Sequence, residues 1–425
     1  MQQATSRNYL VQLTLIGFLF FVFGFITWLN GTLIPFLKTA CELNYQQASL
    51  VTFAFFISYF VMALPSSAIL RRTGFKNGMS LGLVIMALGC LVFIPAAQQR
   101  NYNFFLAGLF TQGLGLAILQ TAVNPYVTII GPMESAARRI SLMGICNKFA
   151  GFLSPAVLGT ILLSNLDVLN AEVDATTDPV TKAAILDQLA ARIINPYTTL
   201  TVVLFLAALF IRFSPLPDLK EEDTEEKAVG GGGHRSLWSH TYLFLGALAI
   251  FAYVGVEVLA GDYIISFGSH LGVPIEYAKY LTSLTLFFMI TGYFAGVFLT
   301  PKYLSQEKLL RINLLLSLAL MAGVLFATGR VAVVSLALLG FTHAIMWPAI
   351  WPMSIKGLGR FTKTGSALLI MGIAGGAVVP FIYGSISDAS ADPQRAFWIM
   401  IPCYLYILYF ALWGHKIGYK DDKHN

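Results

Sequence analysis

Lys220-Glu221-Glu222-Asp223-Thr224-Glu225-Glu226-Lys227-Ala228-Val229-Gly230-Gly231-Gly232-Gly233 is the longest polar break in the chain, and the fold follows from what lies on either side of it. The surrounding segment, 214–239, has little to bury and reads as a flexible, solvated linker. On both sides run apolar stretches of about 20 residues, the length that crosses the hydrocarbon core of a bilayer. They fall near 9–37, 46–70, 74–97, 102–131, 138–164 and 195–213 before the break. After it come 240–270, 275–300, 307–327, 331–352, 357–386 and 394–415. This gives an all-α membrane protein of twelve transmembrane helices. It divides into an N-terminal six-helix bundle (1–213), a cytoplasmic linker (214–239) and a C-terminal six-helix bundle (240–425).

Composition agrees. Of 425 residues, 57% are hydrophobic and only 11% charged, and mean hydropathy is +0.72. Soluble chains carry about 25% charged residues. The net charge of +6 reflects cytoplasmic loops, because the basic residues are scattered at segment ends with no patch to track nucleic-acid phosphates. Cys41, Cys90, Cys146 and Cys403 lack metal-type spacing and read as reduced packing residues. The first apolar run is too long for a cleaved signal peptide and is kept as a span.

Lysine and arginine gather after alternate spans: Arg71, Arg72 and Lys76; Arg138 and Arg139; Lys220, Lys227 and Arg235; Lys302, Lys308 and Arg311; Lys356, Arg360 and Lys363; Lys416, Lys420 and Lys423. The positive-inside rule then puts both termini in the cytoplasm. The longest outside loop, 165–193, has helical spacing in Ala183, Leu186 and Ile193 and reads as a short surface helix. The halves echo each other weakly. Asn124-Pro125, Arg138-Arg139, Met143-Gly144-Ile145 and Pro155 recur in order as Trp351-Pro352, Arg360 with Lys363, Met371-Gly372-Ile373 and Pro380. Parallel six-span repeats are one organisation of secondary transporters.

A charge inside a span costs about 3 kcal/mol or more at the bilayer centre. Three such residues stand out. Glu257 and Asp262 lie in Tyr253-Val254-Gly255-Val256-Glu257-Val258-Leu259-Ala260-Gly261-Asp262 of span seven. Five residues apart, they point about 140° from each other on a regular helix. They share one site only if the helix unwinds, which Gly255 and Gly261 would allow. Two carboxylates with freed carbonyls suit a sodium ion, and one protonatable carboxylate suits a proton. Alternatively, Asp262 is solvated near the outer mouth and Glu257 bonds a neighbouring helix. Lys148 in span five either snorkels to the interface or faces a cavity and pairs with a carboxylate such as Glu257. Neutral polar residues line up in other spans: Asn30 beside Trp28, then Gln112, Gln120, Asn124 and Asn147. His343, Trp347 and Trp351 follow in span ten. Amides offer the donors and acceptors that sugar hydroxyls require, and indole faces suit the apolar face of a pyranose. Hydrogen bonding between helices is the competing role for each amide.

Leu29-Asn30-Gly31-Thr32-Leu33-Ile34-Pro35 resembles the end of the first span in the fucose–galactose–glucose permeases, the fucose:proton symporter family. So do Gln120-Thr121-Ala122-Val123-Asn124-Pro125-Tyr126-Val127-Thr128, Ile355-Lys356-Gly357-Leu358-Gly359 and Gly384-Ser385-Ile386-Ser387-Asp388-Ala389. The resemblance runs from span one to span twelve. It implies the major facilitator fold, a central sugar site and cation symport in a bacterial inner membrane. It also implies a protein that needs no cofactor and works as a monomer. The chain departs from the fucose permease pattern at Gly31 (aspartate there), Gln120 (glutamate), Gly144 (glutamine) and Tyr293 (arginine). Glu257 and Asp262 match neutral residues of that permease, so charge has moved to span seven. Gly-Val-Glu-Val is more similar to the glucose/galactose and N-acetylglucosamine branches, which include sodium-dependent members.

The resulting expectation is a hexose or amino-hexose importer driven by Na+ or H+ symport. Asn30, Gln120, Asn124, Asn147, His343, Trp347 and Trp351 would contact the sugar. Glu257, Asp262 and Lys148 would couple the cation. An exporter or uncoupled facilitator is the alternative. An enzyme is disfavoured by the lack of any HExxH, GxSxG or Walker pattern. A sensor is disfavoured by loops too short for an output domain.

Overall fold

The computed structural model describes residues 2–129, 136–216, 237–300, 303–358 and 361–418. The acidic and glycine runs of the linker, Lys302, Gly359, Arg360, Lys420 and Lys423 lie outside the described residues. Every described element is helical. Among the described residues eleven stretches are long and apolar enough to cross a membrane, and one of them, Tyr45–Gln98, is 54 residues long. A straight helix of that length would reach about 80 Å, far beyond a core of about 30 Å. It bends at Gly74, whose φ of 74° and ψ of 169° lie outside helical space. Only glycine adopts that φ without strain. The stretch is therefore spans two and three, which makes twelve spans among the described residues.

Span one breaks at Trp28-Leu29 into Gln2–Thr27 and Asn30–Ala40. Spans four, five and six are Tyr102–Ile129, Ala136–Leu162 and Ile194–Phe213. Between spans five and six lies a hairpin of two helices, Leu166–Ala175 and Pro179–Ala191, rather than one surface helix. Asp178 caps the second, its carboxylate accepting from the Val180 and Thr181 N–H groups, and Pro179 occupies the first turn. That pairing starts a new helix wherever it stands. Span seven runs through Gly255 without unwinding, ends at Asp262, and resumes as Ile264–His270. Gly255 serves close packing instead: a Cβ there would crowd Val379 of span eleven. Spans eight and nine are Leu281–Leu299 and Gln306–Phe326, and span ten is Gly329–His343 with Met346–Ile355. Span eleven combines Thr362–Met371 with Gly375–Ser390, and span twelve ends in Met400–Leu412.

Leu206, Phe210, Phe213, Leu315 and Phe326 stand exposed on the outer flanks, as a bilayer-facing surface requires. All four cysteines are free. A crevice of about 510 Å³ lined by Phe25, Val157, Leu158, Ile161 and Leu200 lies on the flank of the first half and holds none of the candidate site residues.

Span two packs along span eleven, and span five along span eight. Toward the hairpin end, hydrogen bonds cross between the halves. Asp388 accepts the Tyr45 and Gln46 N–H groups at 2.9 and 2.8 Å. Asp167 accepts the Ile275 N–H at 2.9 Å. The hydroxyls of Thr52 and Tyr263 meet at 3.0 Å. Toward the linker end, hydrogen bonds run within each half. Lys76 donates to the Ser214 carbonyl (2.7 Å) in the first, while Tyr242 donates to the Lys356 carbonyl (2.6 Å) in the second. The hydrogen bonds between the halves gather at the hairpin end, and the linker-side part of span eleven also packs against spans two and three.

Candidate functional site

The break in span one brings Trp28 into the middle of the bundle. Its indole fills a slot between span five and span seven, where a Cβ on Gly151 or Gly261 would strike the ring. Two glycines across from each other thus make room for one large aromatic. Over this ring, at 4.5 Å from its centroid, lies the Lys148 ammonium. Lys148 does not snorkel. It donates to Glu257 Oε1 at 2.9 Å, and their side chains are 10% and 12% exposed. One partner belongs to each half, so the ion pair ties the halves together at membrane depth. Tyr253, one turn before Glu257, and Tyr293 of span eight lie close enough to interact with its carboxylate.

Span seven stays helical between Glu257 and Asp262, so the unwinding expected to join them does not occur, yet both Glu257 and Lys148 lie near enough to Asp262 to act on it electrostatically. Nor is Asp262 solvated at a mouth: it is 1% exposed. It faces Gly31, whose backbone N–H is directed at the carboxylate. Asp262 Oδ1 has no hydrogen-bond partner. Gly144 and Tyr293, two of the departures from the fucose permease pattern, also face each other. The tyrosine ring lies 3.6 Å from where a Cβ on Gly144 would stand.

The neutral candidates divide. Gln120 donates to the Tyr59 hydroxyl at 2.8 Å and keeps partial exposure, as does Asn124. Trp347 and Trp351 stack at 5.2 Å, and Trp347 lies 6.3 Å from Tyr253, which places the pair beside Glu257. Asn30 is buried with its amide nitrogen unpartnered. Gln120, Asn124, Trp347 and Trp351 thus keep partial exposure, whereas Asn30 and Trp28 are buried. Asn147 instead packs on span one, where a Cβ at Gly24 would collide with it. Gln112 packs against Gly89 of span three. His343 is fully buried and meets the Tyr404 hydroxyl at 2.7 Å, so it lies inside the second half rather than on the cavity wall. Tyr253 and Tyr293 were not singled out as site residues by sequence. The four-residue spacing of Tyr253 to Glu257 was the available signal, since i and i+4 share a helix face. Among the described residues no three of His, Cys, Asp and Glu gather as a metal site.

An ion pair with partly exposed amides and indoles near it has the chemistry to bind a polyhydroxylated solute and to respond to a cation. The comparisons with known proteins agree. Residues 16–380 match the family described as Major Facilitator Superfamily. The glucose/galactose transporter of Brucella abortus is 35% identical over 418 residues, covering 98% of this chain and 97% of that protein. The L-fucose-proton symporter of Escherichia coli is 31% identical over 411 residues, covering 96% and 93%. Among solved structures, the Major Facilitator Superfamily transporter FucP in the outward conformation superposes with a TM-score of 0.71 at 29% identity, covering 95% of this chain and 98% of that one.

Proposed function

This chain belongs to the Major Facilitator Superfamily and, within it, to the fucose:proton symporter family, and on that premise we propose that it imports a hexose or amino-hexose by cation symport through alternating access. The observation that carries the proposal is the Lys148–Glu257 pair, which joins the two halves at membrane depth beside the Trp347–Trp351 stack. The names of the relatives, glucose/galactose transporter and L-fucose-proton symporter, support a sugar as cargo.

The sugar lies between the halves. Asn30, Gln120 and Asn124 offer hydrogen bonds from the first half, and Trp347 and Trp351 present apolar faces from the second. Protonating or otherwise compensating Glu257 loosens its hold on Lys148 and lets the halves separate at this level. A sugar and a cation that each favour the same closed arrangement move together, since each shifts the equilibrium only by its differential affinity. The bundles 1–213 and 240–425 rock about this site, joined by the 214–239 linker. With both termini in the cytoplasm of a bacterial inner membrane, the hairpin end is periplasmic. The walls of the cavity come from both halves of one chain, which suits a working monomer.

Exchange tests the substrate class without a gradient. Proteoliposomes loaded with unlabelled glucose are given labelled glucose, galactose, fucose or N-acetylglucosamine. At least one should enter faster than into protein-free vesicles and be competed by its unlabelled form. Entry of none contradicts the reading. Labelled hexose that accumulates or exchanges with no response to any cation gradient favours the uncoupled facilitator.

A further inference from the structure

The crevice on the flank of the first half lies apart from the sugar site, and its two ends differ in chemistry. Most of its wall is apolar, with Phe25 of span one, Val157, Leu158 and Ile161 of span five and Leu200 of span six. Val157 and Ile161 are 50% and 46% exposed, so the crevice opens sideways on the surface that meets lipid. At the hairpin end the lining turns polar, with Arg192 and Asn195. Span five ends at Leu162 and span six begins at Ile194, so these two groups stand where the spans leave the bilayer. Leu200 lies about 9 Å farther in along span six.

Arg192 carries a charge that the protein does not neutralise. Other cations at this end have acids: Lys182 pairs with Glu42 at 2.6 Å and Arg100 with Asp187 at 3.2 Å. Among the described residues no carboxylate pairs with Arg192. Its Nη1 donates to the Ser164 carbonyl at 2.6 Å, which holds the guanidinium beside the end of span five. The Nε–Nη2 edge keeps no acceptor among the described residues. Such an edge matches two oxygens of a phosphate. Asn195, exposed at the same mouth, adds an amide donor.

We infer that this crevice binds a net anionic phospholipid, with its phosphate on the free edge of Arg192 and the upper part of one acyl chain along Phe25, Val157 and Leu200. Basic pockets between spans hold anionic headgroups in other membrane proteins. An acyl chain accounts for an apolar groove that opens to the bilayer, and a phosphate accounts for the unpaired cation at its surface end. A soluble anion would account for the cation alone. A zwitterionic headgroup carries its own cation beside the phosphate and gains less from Arg192. The lipid bridges spans one, five and six, all of the first half, and so stabilises that bundle without touching the residues assigned to sugar or cation.

The test adds lipid to the purified, delipidated chain in maltoside micelles and reads the thermal unfolding midpoint, with native mass spectrometry to detect the retained lipid. Phosphatidylglycerol and phosphatidylcholine with the same acyl chains are the probes, and inorganic phosphate is the soluble control. Phosphatidylglycerol should raise the midpoint saturably, at a concentration about tenfold below phosphatidylcholine, as one charge-assisted hydrogen bond would give. Arg192→Gln should abolish that preference and keep the phosphatidylcholine response, whereas Val157→Trp, which fills the mouth, should weaken both. Added NaCl should shrink the wild-type preference, a readout that needs no variant to fold. Equal responses to the two lipids, a preference that ignores salt, or a preference retained in Arg192→Gln overturns the inference. Inorganic phosphate that reproduces the phosphatidylglycerol effect overturns it too, and assigns a soluble anion to Arg192. Dimerisation of the delipidated chain that Val157→Trp prevents also overturns it, and assigns the crevice to a second copy.

Discussion

Replacing Asp388 should open the hairpin end of the bundle. Its carboxylate accepts from the Tyr45 and Gln46 N–H groups, at 2.9 and 2.8 Å, across the seam between spans eleven and two. Those N–H groups belong to the first turn of span two and have no partner within the helix. Asn44 serves as the N-cap by accepting from Gln47, so Asp388 completes the capping from the opposite half. Lys38, whose ammonium lies 3.2 Å over the Tyr45 ring, stands at the same corner. A hydrogen bond to a charged acceptor contributes about 1.5–3 kcal/mol. Taking the low end for a partly buried group, the two bonds stabilise the closed end by about 3 kcal/mol. Asp388→Ala then raises the open population by roughly 100-fold, since 1.4 kcal/mol is tenfold. Asp388→Asn keeps one acceptor, and the shift should be about tenfold. Ser49 reports on the seam, because it is fully buried and a Cβ on Gly384 would stand 2.8 Å from its hydroxyl. In a background with the four native cysteines replaced by serine, Ser49→Cys should react with a membrane-impermeant maleimide faster in the order wild type, Asp388→Asn, Asp388→Ala. Equal rates in all three, with the variants monodisperse, would refute the role of this contact.

Two further predictions concern the centre of the bundle. Lys148→Gln and Glu257→Gln each leave one buried charge unpaired and should destabilise by about 3 kcal/mol, whereas the double variant should lose far less than the sum; additive shifts in detergent unfolding midpoints would show that the two side chains act independently. Trp351→Ala should raise the concentration for half-maximal hexose exchange about tenfold with little change in unfolding midpoint, because the residue is partly exposed beside the cavity; unchanged exchange kinetics would remove the indole stack from the sugar site.

The spans were legible because a bilayer admits few alternatives to an apolar helix of fixed length. Their interruptions were less so. The Asp178-Pro179 start signal was present in the sequence, but the run of alanine and leucine around it masks the break. The bend at Gly74 depends on a backbone torsion that sequence does not display. At the site, the cost of intramembrane charge singled out Lys148, Glu257 and Asp262. Their pairing was open, because Lys148 and Glu257 are 109 residues apart and only the packing of the halves decides which carboxylate the lysine meets. His343 shows the converse. A histidine in a span has a bland and a functional face, and Tyr404, 61 residues away, engages its Nε2 inside the second half while Nδ1 has no hydrogen-bond partner.

The most direct test of the account is accumulation of a labelled hexose in proteoliposomes under an imposed sodium or proton gradient, comparing wild type with Glu257→Gln. Wild type should concentrate the sugar above its outside level under one of the two gradients. Glu257→Gln should exchange sugar across the membrane but never concentrate it. Failure of the wild type to accumulate under either gradient, or undiminished accumulation by Glu257→Gln, would contradict the claim that this ion pair couples a cation to sugar uptake.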